Sequence, residues 1–454
     1  MRAAPPDLPG APTTDSPIDR ALTLLLADEG EAALRWSAAV VERDASIPSA
    51  LVITCRLLVQ MGRAEAAVEG FELAVRRAID AGNLPLAIAA IGDLRVLGVD
   101  VTGHIEQVAA AFSRSSLRLQ ETETPPPPVP HFEDFQPLSS FLTGPALTSK
   151  ATQILHAATR DYEDAVGAEL PLFAPIPLFS ALSKDSLAAF VSAFEMITVP
   201  EGHVVIEEGE EGAEAYIVAR GQLDVVRRSS SDDGAPPTTL ARLSSGALFG
   251  EMALLSRAPR AASVIAARAS ILLMATRDAL ERVAETRPEV GVELAAHCRR
   301  RMLANLARTS AMLIAVPADE RSMLVERFET RIFERGEILV SEGQEALGLH
   351  LIASGEVAVI AHEGGGESVV LARLLPGETV GEVALVLRRK TNADVVAVHP
   401  TVTLFLPRNQ FVALVEDHPA ILHGLYMTAV RRDDDAMRAL DSAPAAPADE
   451  YVLL

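Results

Sequence analysis

The sequence predicts a multidomain chain in which all-α helical hairpins at the N-terminal end precede two α+β units, each a small β-roll or barrel with flanking helices. Three observations predict it. Apolar residues recur every three or four positions from residue 15 to about 118, the period of a helix face. Residues 125–128 are four consecutive prolines, which fix φ and lack an N–H, so they predict an extended, semi-rigid linker. Beyond the linker one glycine pattern occurs twice. Gly202, Gly209 and Gly221 recur as Gly336, Gly343 and Gly355, with an offset of 134 residues at every position.

Composition bounds the function. The 454 residues imply several domains, and 49% hydrophobic with 22% charged residues is the balance of a folded globular chain. The formal net charge of −22 excludes sequence-independent nucleic-acid binding and adsorption to an anionic membrane, both of which need clustered Lys and Arg. No apolar run approaches the roughly 20 residues that span a bilayer, so no membrane insertion is expected. Residues 1–17 are rich in Pro, Ala and Asp and lack the apolar stretch of a signal peptide. A cytoplasmic location follows as an expectation. Cys55 and Cys298 are the only cysteines, too few and too far apart for a disulfide framework or a zinc site. Neither metal nor prosthetic group is expected. Lys occurs only at Lys150, Lys184 and Lys390 against abundant Arg and Ala, a high-GC bias that points to a bacterial origin.

In chain order, residues 1–14 are expected to be disordered and 15–118 helical. Within the helices, Leu51, Thr54, Cys55 and Leu58 are followed by Gly62, Ala67, Phe71 and Ala74. That spacing resembles a tetratricopeptide unit of about 34 residues, with Gly30 and Gly82 at neighbouring hairpin turns. Leu51, Cys55 and Ile79 replace the usual Trp, Gly and Pro, so an ordinary helical bundle is the alternative. Such a module would engage a protein partner. Residues 119–170 form the Pro-rich linker, with a short bridging helix within 138–168. The first α+β unit spans 171–308, the second 309–438, and 439–454 is a disordered tail. Each unit begins with short alternating strands, such as 204–206, 215–218 and 223–226, and ends in helices. The helices fall at 277–286 and 289 to about 308, then at 409–417 and 419 to about 438. The offset shrinks to 131 at Gly250-Glu251 and Gly381-Glu382, because the turn at 229–237 is longer than its counterpart at 362–367.

One stretch carries chemistry. Phe249-Gly250-Glu251-Met252-Ala253-Leu254, then Pro259-Arg260-Ala261-Ala262-Ser263, resembles the phosphate-binding cassette of cyclic nucleotide-binding domains. The tandem arrangement is similar to protein kinase A regulatory subunits and to the sensor domain of bacterial catabolite activators, over residues 175–438. The resemblance implies a ligand site at Gly250, Glu251, Met252, Ala253, Arg260, Ala261, Ala262 and Ser263. The physics agrees with it. Gly250 lets backbone approach a ligand, and a helical turn over 251–255 would aim free N–H groups at a phosphate. Arg260 offers a planar fork for phosphate oxygens. Glu251 would repel a phosphate, so it must point aside and accept from a ribose hydroxyl. Sites selective for cGMP often carry Thr after the arginine; Ala261 stands there, which implies cAMP rather than cGMP. In the family the cassette's movement is coupled to the helices that follow. An apolar cap over the base is expected from Met302, Met312 or Phe328.

The second copy keeps Gly381, Glu382, Val383 and Ala384. Nine residues beyond Glu382, where the arginine belongs, stands Thr391, preceded by Lys390 and followed by Asn392, Ala393 and Asp394. A neutral hydroxyl cannot neutralise a buried phosphate. Arg388, Arg389 and Lys390 are out of register. This second site (Gly381, Glu382, Val383, Ala384, Thr391, Asn392) is therefore expected to be weak, altered in ligand, or structural.

Other signals are missing. No helix-turn-helix fits after the second unit, and residues 119–170 hold no Arg-Arg-x-Ala/Ser inhibitor segment. Arg227-Arg228-Ser229-Ser230 falls in a turn. The ten His form no H-E-x-x-H, and there is no G-x-S-x-G or P-loop, so catalysis is not expected. The sequence thus reads as a cytosolic cyclic-nucleotide receptor that couples ligand binding in its first domain to a domain rearrangement read by a partner protein. The alternative is a non-binding adaptor built on decayed sensor domains.

Overall fold

The computed structural model describes residues 16–120, 135–164, 171–227, 238–255, 259–317, 320, 321, 324, 327–362 and 368–442. The expected disordered N-terminus, the four prolines, the long turn at 229–237 and most of the expected tail lie outside these residues. Residues 439–442 close the last helix, Pro419–Ser442.

Among the described residues, six helices form the N-terminal block: α1 Pro17–Leu26, α2 Gly30–Arg43, α3 Pro48–Gln60, α4 Ala64–Asp80, α5 Leu84–Val96 and α6 Thr102–Phe112. Local chemistry starts them. Ser16 accepts from the Asp19 amide with Pro17 at the first position, and Asn83 accepts from the Leu86 amide. Leu51, Cys55 and Leu58 of α3 and Ala67, Phe71 and Ala74 of α4 are all buried. The turns that close α1–α2, α3–α4 and α5–α6 hold left-handed residues Asp28, Gly62 and Gly98. Their intervals, 34 and then 36 residues, approach a tetratricopeptide period. The α1–α2 turn residue is Asp28, whereas Gly30 already belongs to α2; Asp is among the few L-residues that tolerate this conformation. Gly82 does turn the chain, between α4 and α5.

The helix expected to bridge the linker differs from expectation. It is α7, Gly144–Asp164, 21 residues long, and it packs on α2, α3 and α4. Leu147, Ala151, Leu155 and Ala158 make its buried stripe, and an apolar stripe needs a partner face. Gly70 of α4 provides one, since a Cβ there would lie 3.1 Å from Leu155 Cδ1.

Contacts divide the chain into two compact units. The first comprises Met1–Ile206, Tyr216–Phe249 and Ser263–Glu293; the second comprises Glu207–Ala215, Gly250–Ala262 and Leu294–Leu454. In the first, the helical block shares a unit with a barrel of β1 Glu195–Val199, β2 Val204–Ile206, β3 Glu214–Arg220, β4 Gln222–Arg227, β5 Thr238–Ser244, β6 Leu248–Phe249, β7 Ser263–Ala266 and β8 Ser270–Thr276. Two antiparallel sheets, ordered β1-β8-β3-β6 and β2-β7-β4-β5, enclose Val199, Ile206, Val218, Leu223 and Leu272, with Tyr216 stacked on Phe249 at 5.2 Å. The barrel does not hang from the helices by a linker alone. Helix α5 packs on β1 and β8, and buried Asp19 of α1 pairs with Arg220 and, at 3.2 Å, with Arg268.

The second unit repeats the barrel as β9 Glu329–Phe333, β10 Ile338–Val340, β11 Gly348–Ser354, β12 Val357–His362, β13 Ser368–Leu374, β14 Thr379–Val380, β15 Asp394–Ala397 and β16 Thr401–Pro407. Its sheets, β9-β16-β11-β14 and β10-β15-β12-β13, are the first pair with eight added to every strand number. The glycine duplication is thus a duplication of topology. Helices Arg277–Thr286 and Pro288–Thr309 follow the first barrel, and Arg408–Asp417 and Pro419–Ser442 follow the second.

Candidate functional site

In the first cassette Gly250 takes φ 73°, and a short helix follows at Met252–Leu255. Glu251 is buried, and its carboxylate lies 3.2 Å from Arg301 Nε on the helix Pro288–Thr309. Burial raises the Glu251 pKa and Arg301 opposes the rise. Cys298, one turn earlier on that helix, donates its Sγ–H to the Glu251 carbonyl at 3.6 Å, and burial pushes its thiol up to about 12. Arg260 is held inside its own loop. Nη1 donates to the Gly250 carbonyl at 2.9 Å, and Nη2 donates to the Glu214 carbonyl at 2.8 Å and faces Glu214 Oε2 at 3.3 Å. Gly212 lies against this guanidinium: a Cβ there would lie 2.5 Å from Arg260 Nη2 and would push it aside.

The other expected residues take varied places. Ala253 is buried, Ala261 exposed and Ala262 half-buried, while Ser263 opens β7. Met252 packs against the core of the second barrel, a use that suits a flexible thioether. Met302, Met312 and Phe328, expected as a cap, lie in the core of the second barrel. They are 2%, 5% and 2% exposed in that same core, beside Leu349, Leu351 and Leu404. Large apolar side chains serve a cap or a core equally well, and the second barrel needs this face covered.

The second cassette repeats the frame. Gly381 takes φ 92°, where a Cβ would lie 2.8 Å from the Gly348 carbonyl, and the helix Glu382–Val386 follows. Glu382 is 1% exposed. Arg432, on Pro419–Ser442, sets Nη1 2.5 Å from Glu382 Oε1, donates to the Thr379 carbonyl at 2.6 Å, and sets Nη2 2.8 Å from Glu378 Oε1. Burial raises the Glu382 pKa against the pull of Arg432. Val383 is half-buried and Ala384 buried.

Thr391 occupies the place of Arg260 by backbone bonding, not only by counting. The Gly209 amide donates to the Arg260 carbonyl and the Arg260 amide to the Glu210 carbonyl, both at 2.9 Å. The Gly343 amide donates to the Thr391 carbonyl and the Thr391 amide to the Gln344 carbonyl, again at 2.9 Å. The Thr391 hydroxyl lies 2.6 Å from the Ser341 carbonyl and accepts from the Gln344 amide at 3.1 Å. It pins the loop. Arg388, Arg389 and Lys390 are exposed, Arg389 pairing with Asp433, and Asn392 is exposed too. A cavity of about 180 Å³ lies between the second cassette and its barrel, with Val340, Val359, Leu374, Val383 and Val395 among its walls.

Sequence reasoning missed Arg301 and Arg432. They are 131 residues apart, the same offset as Glu251 and Glu382. Extending the duplication into the helices would have found them. It also missed Gly212, in the loop between β2 and β3, and Glu214, the first residue of β3, which carry no motif of their own.

The comparison with family models agrees with this duplication. The family model described as "Cyclic nucleotide-binding domain" matches twice, over residues 196–287 and 330–418. A cAMP-dependent protein kinase regulatory subunit of Hypocrea atroviridis is 32% identical over 243 residues, covering 52% of this chain and 50% of that protein. One of Mycosarcoma maydis is 31% identical over 233 residues, covering 49% of this chain and 42% of that protein. The chain spans about half the length of the curated relatives it matches. These relatives are eukaryotic and give the expected bacterial origin no support. Among solved structures, the regulatory domain of Toxoplasma gondii PKA with cAMP is similar at 25% identity, over 56% of this chain and 92% of that one, with a TM-score of 0.28. No helix among the described residues is long and apolar enough to cross a membrane. Two barrels of one topology, each with a glycine–glutamate cassette, carry the two matches, so residues 196–287 and 330–418 are tandem cyclic nucleotide-binding domains.

Proposed function

We propose that the chain is a non-catalytic cytoplasmic receptor whose first domain binds a cyclic nucleotide, cAMP in preference to cGMP. The carrying observation is that one cassette holds a buried Glu251 and an Arg260 whose guanidinium is bonded to the carbonyl of Gly250, the residue before that glutamate. Arg260 donates to the Gly250 and Glu214 carbonyls, bonds it can exchange for charge-assisted bonds to a cyclic phosphate. Glu214 then competes with the ligand, so binding must displace one carboxylate contact. The ribose hydroxyl would donate to Glu251, whose carboxylate also faces Arg301. Ligand contact and helix contact therefore meet on one carboxylate. A ligand that changes the Glu251–Arg301 pair biases where the helix Pro288–Thr309 sits, and it signals only as far as it favours one arrangement over the other. Ala261, exposed and without a hydroxyl, supports cAMP over cGMP. The named relatives are cAMP-dependent kinase regulatory subunits, which supports a protein partner; the helical block α1–α6, with its near-34-residue turns, is the module proposed to meet one. The adaptor reading is favoured in the second domain alone, by Thr391.

The test is titration calorimetry with cAMP and cGMP on the whole chain and on Arg260→Ala. The variant should lose roughly 2–5 kcal/mol of cAMP affinity, the cost of leaving a desolvated phosphate unpaired. Unchanged cAMP binding in Arg260→Ala would refute the assignment.

A further inference from the structure

Two arginines of the helical block stand without a counter-charge. Arg76 and Arg77, near the end of α4, take part in no ion pair among the described residues, and the Nε of each is buried without a hydrogen-bond partner there. In a chain of net charge −22, half-buried guanidinium groups left unpaired invite an anion. The C-terminal end of α4 favours cations, which accounts for a charge there but not for two guanidiniums on one ring. That ring is Tyr162, in the last turn of α7. Its centroid lies 5.3 Å from the Arg76 guanidinium carbon and 4.6 Å from that of Arg77. Its hydroxyl donates to Asp80 Oδ2 at 2.9 Å. A third arginine approaches the other oxygen of that carboxylate. Arg118 Nη2 lies 3.3 Å from Asp80 Oδ1, while its Nε donates to the Pro171 carbonyl at 3.0 Å. Among the described residues, three cations and one buried-side carboxylate thus gather round one phenol. Burial and Asp80 hold the Tyr162 pKa above its ordinary value, and Arg76 and Arg77 pull it down. The neighbouring carboxylates of α7, Asp161, Glu163 and Asp164, are exposed.

We propose that Tyr162 is a phosphorylation site whose phosphate is held by Arg76, Arg77 and Arg118. A tyrosine kinase acting in trans would supply the γ-phosphoryl group of ATP. The bond from that phosphorus to the β,γ-bridging oxygen breaks, a bond to Tyr162 Oη forms, ADP leaves, and the phenol proton passes to the kinase's base. Tyr162 is half-buried, and α7 ends at Asp164. Helix ends fray, so this turn can open to a kinase and close again. On closing, the phosphate brings nearly two negative charges to the place where the hydroxyl met Asp80. Asp80 is repelled, and Arg118 exchanges it for the phosphate while keeping its bond to Pro171. The two guanidiniums already on the ring need only shift along it to reach phosphate oxygens. The modified residue then clamps the end of α7 to α4. Neither cassette takes part.

The experiment co-expresses the full chain with a broad-specificity tyrosine kinase and maps phosphate on Tyr162, Tyr216, Tyr426 and Tyr451 by peptide mass spectrometry. Tyr426 is the control, 48% exposed on the helix Pro419–Ser442. Tyr162 should carry phosphate. The phosphorylated chain should melt about 2 °C or more above the same chain after phosphatase treatment. In the double variant Arg76→Gln with Arg77→Gln, the same modification should lower the melting temperature, because Asp80 then repels a phosphate that two cations no longer hold. Tyr162→Phe, treated alike, gives the shift due to the other tyrosines. If the double variant does not fold, salt decides on the unaltered chain: the rise should shrink between about 0.05 and 0.5 M NaCl. Absence of phosphate on Tyr162 overturns the proposal, whatever Tyr426 shows. So does a shift of the same sign and size in the parent and the double variant, a rise that salt leaves unchanged, or a phosphorylated chain that melts below the treated one.

Discussion

At the residue scale the two cassettes part most sharply where Arg260 is matched by Thr391, and the neighbours of that position show why it matters. Arg260 and Thr391 sit in the same backbone bonds, yet one is a cation and the other a loop pin. The carboxylates beside them are buried in both copies and depend on an arginine from a later helix. Removing Arg432 would strand Glu382, so Arg432→Ala should cost about 3–5 kcal/mol, read as a lower midpoint of urea unfolding. Converting the pair together, Arg432→Met with Glu382→Leu, should recover most of that loss. Arg301 is 35% exposed, so its removal should cost less. His350 gives a second check. It is buried, bonded to Thr403 at 3.0 Å, and burial lowers its pKa to about 4. Between pH 6.5 and 4 the unfolded chain takes up a proton that the folded ring refuses, so this histidine makes stability fall as pH falls through that window. Glu251 and Glu382, raised by burial, act with the opposite sign as their carboxyls protonate. The comparison with His350→Gln isolates the effect: the variant should lose less melting temperature than the parent from pH 6.5 to 4. An equal loss would contradict a neutral, buried imidazole.

At the scale of elements, α1 is tied to the first barrel by Asp19, which Arg220 and Arg268 both approach. Burial disfavours the charge on Arg220, and Asp19 supports it. Asp19→Ala should therefore lower the melting temperature of the first unit by leaving a buried guanidinium unpaired, about 3–5 kcal/mol if the site stays closed. If α1 were an independent appendage, the barrel's melting would not change. Elements of this kind divide into those the sequence shows and those it hides. The duplicated barrels are legible because each turn needs a glycine at a fixed place, so Gly202, Gly209 and Gly221 print the topology twice. Helices α3 and α4 are legible from their apolar period. The docking of α7 is not, since Leu147, Ala151 and Leu155 announce a buried face without naming what covers it. Arg301 and Arg432 are hidden for a related reason. An ion pair between residues about fifty positions apart leaves no local pattern, and only the shared 131-residue offset betrays it. Met302, Met312 and Phe328 read as a cap in the sequence and lie in a core in the structure, because a core and a ligand cap ask for the same residue types.

At the scale of the whole molecule, a chain of net charge −22 is proposed to capture an anion, so local geometry must overcome the overall field. The duplication supplies two frames for that task, and only the first retains the cation. One cassette would then sense cyclic nucleotide while the other holds a different ligand or none, inside a chain whose helical block shares a compact unit with the first barrel. This division of labour is the central claim, and the stoichiometry of cAMP tests it most directly. Calorimetric titration of the unaltered chain should give one cAMP per chain. Two equivalents would contradict the reading of Thr391, and none, with the melting temperature unmoved at saturating cAMP, would contradict the receptor itself.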